Sequence, residues 1–193
     1  MSTIVVKQPV PSVPSEPMTV YEFARTPEYD DKRLELIDGY IVRREEMKPA
    51  HVGATESLRR RFEAMIPTGW YVREDKPVRI PDWTEPLPDI TLVCGDYTRY
   101  LVRHPEPADI GMIVEVSDTS LAKDRGEKWD NYAKAGIAFY WIVNLVDRQI
   151  EVYSEPTASG YTVERTYRLG EDVPVMLEDS EIGRIAVSDI ILG

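Results

Sequence analysis

Glu115 stands in the run MIVEVS, Met112 to Ser117, flanked by Ile113, Val114 and Val116. β-branched apolar neighbours on both sides read as a strand buried on both faces. A lone carboxylate there is costly unless it is paired or bound to a cation. Asp89 is the obvious partner, because Pro88 and Asp89 open the run DITLVC, an earlier strand candidate. If the two strands pair, both carboxylates reach the same edge of the sheet. Two carboxylates with backbone carbonyls, that of Val116 among them, and water make an oxygen-only set suited to Mg²⁺ or Mn²⁺. The alternative for Asp89 is an ordinary turn or strand cap behind proline.

A third group follows in the chain. Asp124, Lys128 and Tyr132 are spaced i, i+4, i+8 and share one helical face. An ammonium projected from that face toward the carboxylates could offset charge developing on a phosphate or orient an attacking water. The same spacing equally describes an Asp–Lys surface pair worth a few tenths of a kcal/mol. Arg59, Arg60, Arg61 and Arg125 are candidates for phosphate contacts, or else parts of solvated helix faces.

The elements that must hold these residues can be read from patterning. Thr19 and Glu22 form a capping-box pattern opening a short helix that ends near Thr26 and Pro27. Asp38 and Gly39 separate two apolar-rich runs, a hairpin signal, and Glu35 lies on the opposite face from Leu34 and Leu36. Ala54, Leu58, Phe62 and Met65 make the apolar stripe of a helix over 50–66, ended by Pro67 and Gly69. Short strands are predicted over 70–73 and 77–80, then 89–94 and 112–117, and a helix over 121–135 with Gly136 behind it. A hairpin over 139–154 and strands over 161–168, 173–177 and 185–191 complete an α/β (α+β) arrangement around a central sheet. Four prolines in residues 1–17 predict a flexible tail, leaving 18–193 as one domain.

Composition narrows the function classes. Of 193 residues 42% are apolar, with four Trp and eleven Tyr, enough for a core. The single cysteine, Cys94, excludes an internal disulfide and cysteine-based zinc sites, and His51 and His104 are the only histidines. No apolar run reaches membrane-spanning length and the N-terminus has no signal-peptide core, so a cytoplasmic protein away from membranes is expected. The net charge of −11 opposes nonspecific attraction to nucleic acid but leaves room for a local basic groove.

The ordered series LELIDGYIV, His51, LPDITLV, IVEVSDTS, DRGEKWDNYAKAGIAFYWIV and IEVY resembles the Uma-two family, restriction-endonuclease-like proteins of the PD-(D/E)XK nuclease superfamily. The resemblance runs from about Glu22 to the C-terminus. It implies a restriction-endonuclease-like mixed sheet flanked by helices, with extra C-terminal strands. It also implies that Asp89 and Glu115 hold Mg²⁺, with Mn²⁺ as a substitute, for hydrolysis of phosphodiester bonds in DNA. The superfamily lysine belongs two residues after the glutamate, where this chain has Ser117. Lys128 is the natural replacement from the next helix, with Lys123 second. Glu35 is the implied additional acid, and His51 matches a family histidine that serves equally well as a structural residue. A homodimer or higher even oligomer is implied as well. The substituted Ser117 and the acidic charge also admit a catalytically inactive nuclease fold acting as an oligomeric binding or scaffold module.

Overall fold

The computed structural model describes residues 16–29 and 33–191, so all but the last two residues of the Pro-rich stretch lie outside it. In chain order the elements are α1 (Val20–Arg25), β1 (Leu34–Ile37), β2 (Tyr40–Arg43), α2 (Pro49–Met65), β3 (Trp70–Glu74), β4 (Ile90–Cys94) and β5 (Ile110–Ser117). After β5 come α3 (Leu121–Lys123), a π-helical turn (Asp124–Lys128) and α4 (Trp129–Lys134). Then follow β6 (Phe139–Asn144), β7 (Gln149–Thr157), β8 (Gly160–Arg168), β9 (Asp172–Leu177), β10 (Ser180–Ala186) and α5 (Val187–Ile190).

Six strands form the central sheet in the order β3-β4-β5-β6-β7-β8. Only β5 and β6 are parallel, because the helical segment α3 to α4 carries the chain back across the sheet between them. β5 is buried along its whole length, as a central strand covered on both faces should be. Its alternation assigns the faces. Met112, Val114 and Val116 join Leu58 and Phe62 of α2, Trp141 and Val143 of β6, and the β9–β10 hairpin in one core. Ile113 joins Tyr132 and Ala133 of α4 with Tyr140, Ile142, Tyr153 and Tyr161 in the other. Fully buried Leu58 and Phe62 contribute roughly 1.5–3 kcal/mol each, which anchors α2. Glu115, in phase with Ile113, therefore faces the helical segment that carries Lys128 and Tyr132.

The β1–β2 hairpin turns at Asp38 and Gly39, both at positive φ, and packs Leu34 and Leu36 on Val20 and Phe23 of α1. The capping box of α1 is formed, with the Thr19 N–H donating to Glu22 Oε2 (2.8 Å) and the Glu22 N–H to Thr19 Oγ1 (3.2 Å).

Two predicted strands are corrected. Residues 77–80 lie between prolines and bond outward to loops, Val78 N–H to the Pro86 carbonyl and Arg79 N–H to that of Pro105, with only an isolated bridge at Ile80. The strand placed over 185–191 in fact begins at Ser180 and gives way to α5 at Val187. Val187, Ile190 and Ile191 are spaced i, i+3, i+4, and all three join the α2-side core. Their β-branched composition argued for a strand, and the helical spacing prevailed.

Candidate active site

The register Ile90↔Val114 between antiparallel β4 and β5 sets Asp89, just before β4, beside Glu115. Both are almost fully buried. Asp89 is held from three sides. Its Oδ2 accepts the Val116 backbone N–H (2.6 Å) and lies 3.2 Å from His51 Nε2, while its Oδ1 takes Arg44 Nη2 at 2.6 Å. Burial alone depresses the His51 pKa, but the hydrogen bond and charge of Asp89 outweigh it and the net shift is upward.

Glu115 Oε1 accepts from Lys128 Nζ (2.9 Å) and from the Tyr132 hydroxyl (2.8 Å). Its Oε2 accepts no hydrogen bond among the described residues. Lys128 also lies 3.0 Å from Glu35 Oε1 and 3.9 Å from Asp124 Oδ1. Glu35 takes the Leu87 N–H on Oε1 (3.0 Å) and Lys123 Nζ on Oε2 (2.7 Å). Asp124 Oδ2 accepts from Ser117 Oγ (2.7 Å) and Ser120 Oγ (2.6 Å). The residue standing where the superfamily has its lysine thus helps fix the helix that brings Lys128.

Glu35, Glu115 and Asp124 lie around Lys128, and the proton affinities of Glu35 and Glu115 are shifted in opposite directions. Burial raises the Glu35 pKa, but Lys128 and Lys123 together reverse this and bring it down to about 2. For Glu115 burial dominates. Lys128 opposes it, Asp124, Asp89 and Glu35 add to it, and the group is pushed up to about 8. Burial works against the Lys128 charge, yet Glu115, Glu35 and Asp124 outweigh that and raise its pKa. Glu35 on the other side of Lys128 favours the ammonium form independently of Glu115.

These groups line a cavity of about 310 Å³, together with the 44–48 segment on one side and Asp118 to Ser120 on the other. The two sides are bridged by a hydrogen bond from Thr119 Oγ1 to Glu45 and by Lys48 Nζ to Asp118 Oδ2 (2.8 Å). Among the described residues no three His, Cys, Asp or Glu side chains already converge as a metal centre. The donor chemistry nevertheless fits a hard divalent cation: Asp89 and Glu115, both lining the cavity, offer carboxylate oxygens, and Glu115 Oε2 accepts no hydrogen bond among the described residues.

Of the residues singled out from sequence, Asp89, Glu115, Lys128, Glu35, Asp124, Ser117, Tyr132 and His51 are brought together, with Val116 donating its N–H to Asp89. The arginines are not. Arg59 pairs with Glu56, Glu63 and Glu74, Arg60 with Glu56, Arg61 with Asp189, and Arg125 with Glu151. None of the four lines the cavity. Sequence reasoning missed Arg44 and its second partner Asp75, 2.8 Å from Nη1. Extending the hairpin alternation past Val42 would have found Arg44, since its N–H still bonds the Arg33 carbonyl (2.7 Å) and continues the pairing.

A mixed sheet with an acidic pair on adjacent strands and a lysine on the following helix is a restriction-endonuclease-like architecture. The chain belongs to the Uma2 family, described as "Putative restriction endonuclease", whose profile matches residues 20–183. It is similar in structure to a protein from Anabaena variabilis ATCC 29413 described as "a putative nuclease belonging to DUF820", with a TM-score of 0.69, 15% identity, and coverage of 91% of this chain and 98% of the other. No curated protein matches it in sequence.

Proposed function

We propose that the chain is a Mg²⁺-dependent endonuclease that hydrolyses phosphodiester bonds in DNA, with Mn²⁺ able to substitute. Asp89 and Glu115 would hold the cation, with the Val116 carbonyl and water completing the oxygen set. When bound, such an ion polarises a phosphoryl oxygen and lowers the pKa of a coordinated water. The chain's own residues do the remainder. Lys128 presents an ammonium at the edge of the acidic pair, where it can offset charge on a phosphate oxygen or hold the attacking water. Glu35 keeps Lys128 charged and aimed, Tyr132 fixes the Glu115 carboxyl, and His51 and the Val116 N–H fix that of Asp89. The observation that carries the reading is the Lys128 ammonium 2.9 Å from Glu115 Oε1, supplied from the helix although the strand carries Ser117.

A second reading, an inactive nuclease fold acting as a binding or scaffold module, draws on one observation. Asp89 is already engaged by Arg44, His51 and a backbone N–H. Calorimetric titration of Mn²⁺ separates the two. The nuclease reading expects binding by wild type and its loss in Asp89→Ala and Glu115→Ala; no heat from wild type at millimolar Mn²⁺ would contradict it. Assembly as a homodimer or higher even oligomer belongs to the same proposal. β3 and β8 are the sheet edges through which copies could pair, and light scattering would read the mass.

A further inference from the structure

Among the described residues, Arg44 is the one permanently charged cation that touches Asp89. Its N–H closes the last rung of the β1–β2 hairpin, and its alternation with Val42 places its side chain on the cavity side of that hairpin. The guanidinium spans two carboxylates: Nη2 is 2.6 Å from Asp89 Oδ1, and Nη1 is 2.8 Å from Asp75 Oδ1. The two ends differ. Asp89 is buried and lines the cavity, whereas the Asp75 side chain is one-third exposed and lies outside the lining. Asp89 Oδ2 is meanwhile committed to the Val116 N–H and His51, so Oδ1 is the oxygen that an incoming cation would have to take.

We infer that Arg44 is a displaceable stand-in for the divalent cation: it neutralises Asp89 until the ion arrives, then gives up Oδ1 and is retained by Asp75. This rests on the nuclease reading of the site. Two positive groups cannot share one carboxylate oxygen at contact distance without strong repulsion, so the ion and the guanidinium compete. Lys123 is different. It neutralises Glu35 Oε2, on the far side of Lys128, and blocks neither Asp89 nor Glu115. The device would keep a buried acidic cluster folded at low cation concentration, at the expense of affinity, and leave a guanidinium tethered close to the cavity for a phosphate oxygen.

The test is calorimetric titration of Mn²⁺ into the full chain as wild type, Arg44→Met and Lys123→Met, each checked for cooperative melting. Lys123→Met removes the same charge without vacating an Asp89 oxygen. Arg44→Met is expected to bind Mn²⁺ tenfold or more tighter than wild type, and Lys123→Met to change affinity by less than about threefold. If Arg44→Met fails to melt cooperatively, Arg44→Lys, whose single ammonium cannot span both carboxylates, is expected to bind tighter than wild type. Equal or weaker binding by the Arg44 variant, or a gain matched by Lys123→Met, overturns the inference and leaves the cation site standing. Absence of binding in every protein overturns the nuclease reading itself and the inference with it.

Discussion

Lys128 is one ammonium serving two buried carboxylates, and its removal exposes what each was worth. Truncating one partner of a buried ion pair costs about 3–5 kcal/mol, because the other charge is left uncompensated. Glu115, already pushed up to about 8, can take a proton instead, so the loss falls chiefly on Glu35. Lys128→Gln keeps an amide donor and should lose less than Lys128→Ala; chemical denaturation of the two variants checks the order. Tyr132 is a subtler support. Its hydroxyl donates to Glu115 Oε1, and Tyr132→Phe removes that donor while keeping the ring. The expected cost is about 1 kcal/mol of stability, read by the same denaturation series, with the fold preserved. The acidic pair and Lys128 were legible in the sequence for local reasons. A carboxylate inside an apolar strand and an i, i+4 spacing are visible without knowing the fold. Hairpin alternation past Val42 points to Arg44, but its pairing with Asp75 and Asp89 joins the hairpin to the β3–β4 region 31 and 45 residues away, and no local pattern encodes that meeting.

At the scale of elements, the helix after β5 is the part whose geometry matters most. The sequence pattern predicts a continuous α-helix over 121–135, and its middle turn, Asp124–Lys128, is π-helical instead. π-turns recur at functional sites, and here the widened turn carries both Asp124 and Lys128. The segment is pinned at each end. Ser117 and Ser120 hold Asp124 on one side, and the Trp129 ring packs over Gly160 at the start of β8 on the other. A Cβ at Gly160 would stand 2.0 Å from Trp129 Cη2, and the backbone there is at φ +125°, so Gly160→Ala should destabilise by about 1–3 kcal/mol, measurable as a drop in Tm. The loop entering β5 has its own clamp. Asp109 is held down to about 2 by its hydrogen bond to Arg103, against burial, with the Glu106 N–H and Arg99 adding to the effect. A depressed carboxyl stabilises the fold above its ordinary pKa of 3.8 and loses that contribution as the pH falls toward 2. Asp109→Asn should therefore flatten the Tm–pH curve between those limits. The mixed central sheet with helices beside it and extra C-terminal strands is what the resemblance implies, whereas the π-turn has no sequence signal beyond Gly126 in its centre. The end of β10 was misread because β-branched residues at helical spacing serve either state until packing chooses.

At the scale of the whole molecule, the cavity shares the acidity of the chain. Net charge is −11, and seven carboxylates against five Lys and Arg side chains line the cavity. On the nuclease reading, part of the attraction for DNA must therefore come from a cation bound in the cavity. Besides Lys128, four cations line it: Arg43, Arg44, Lys48 and Lys123. If each meets one phosphate, the log–log dependence of DNA affinity on salt should be no steeper than about −4, and a titration by fluorescence anisotropy would read the slope. A steeper slope would move the DNA-binding surface away from the cavity. The basic cluster Arg59 to Arg61 illustrates why charge runs mislead. Each of those side chains is neutralised by an acid, from its own helix, from β3 or from α5. The central claim is that Asp89, Glu115 and Lys128 form one hydrolytic site. Supercoiled-plasmid nicking in Mg²⁺ by wild type, Glu115→Gln and Lys128→Gln, purified side by side, tests it most directly. Wild type is expected to nick the plasmid and each variant to lose roughly 100-fold or more; equal rates in all three, or no nicking by wild type, would mean that these residues form no hydrolytic site.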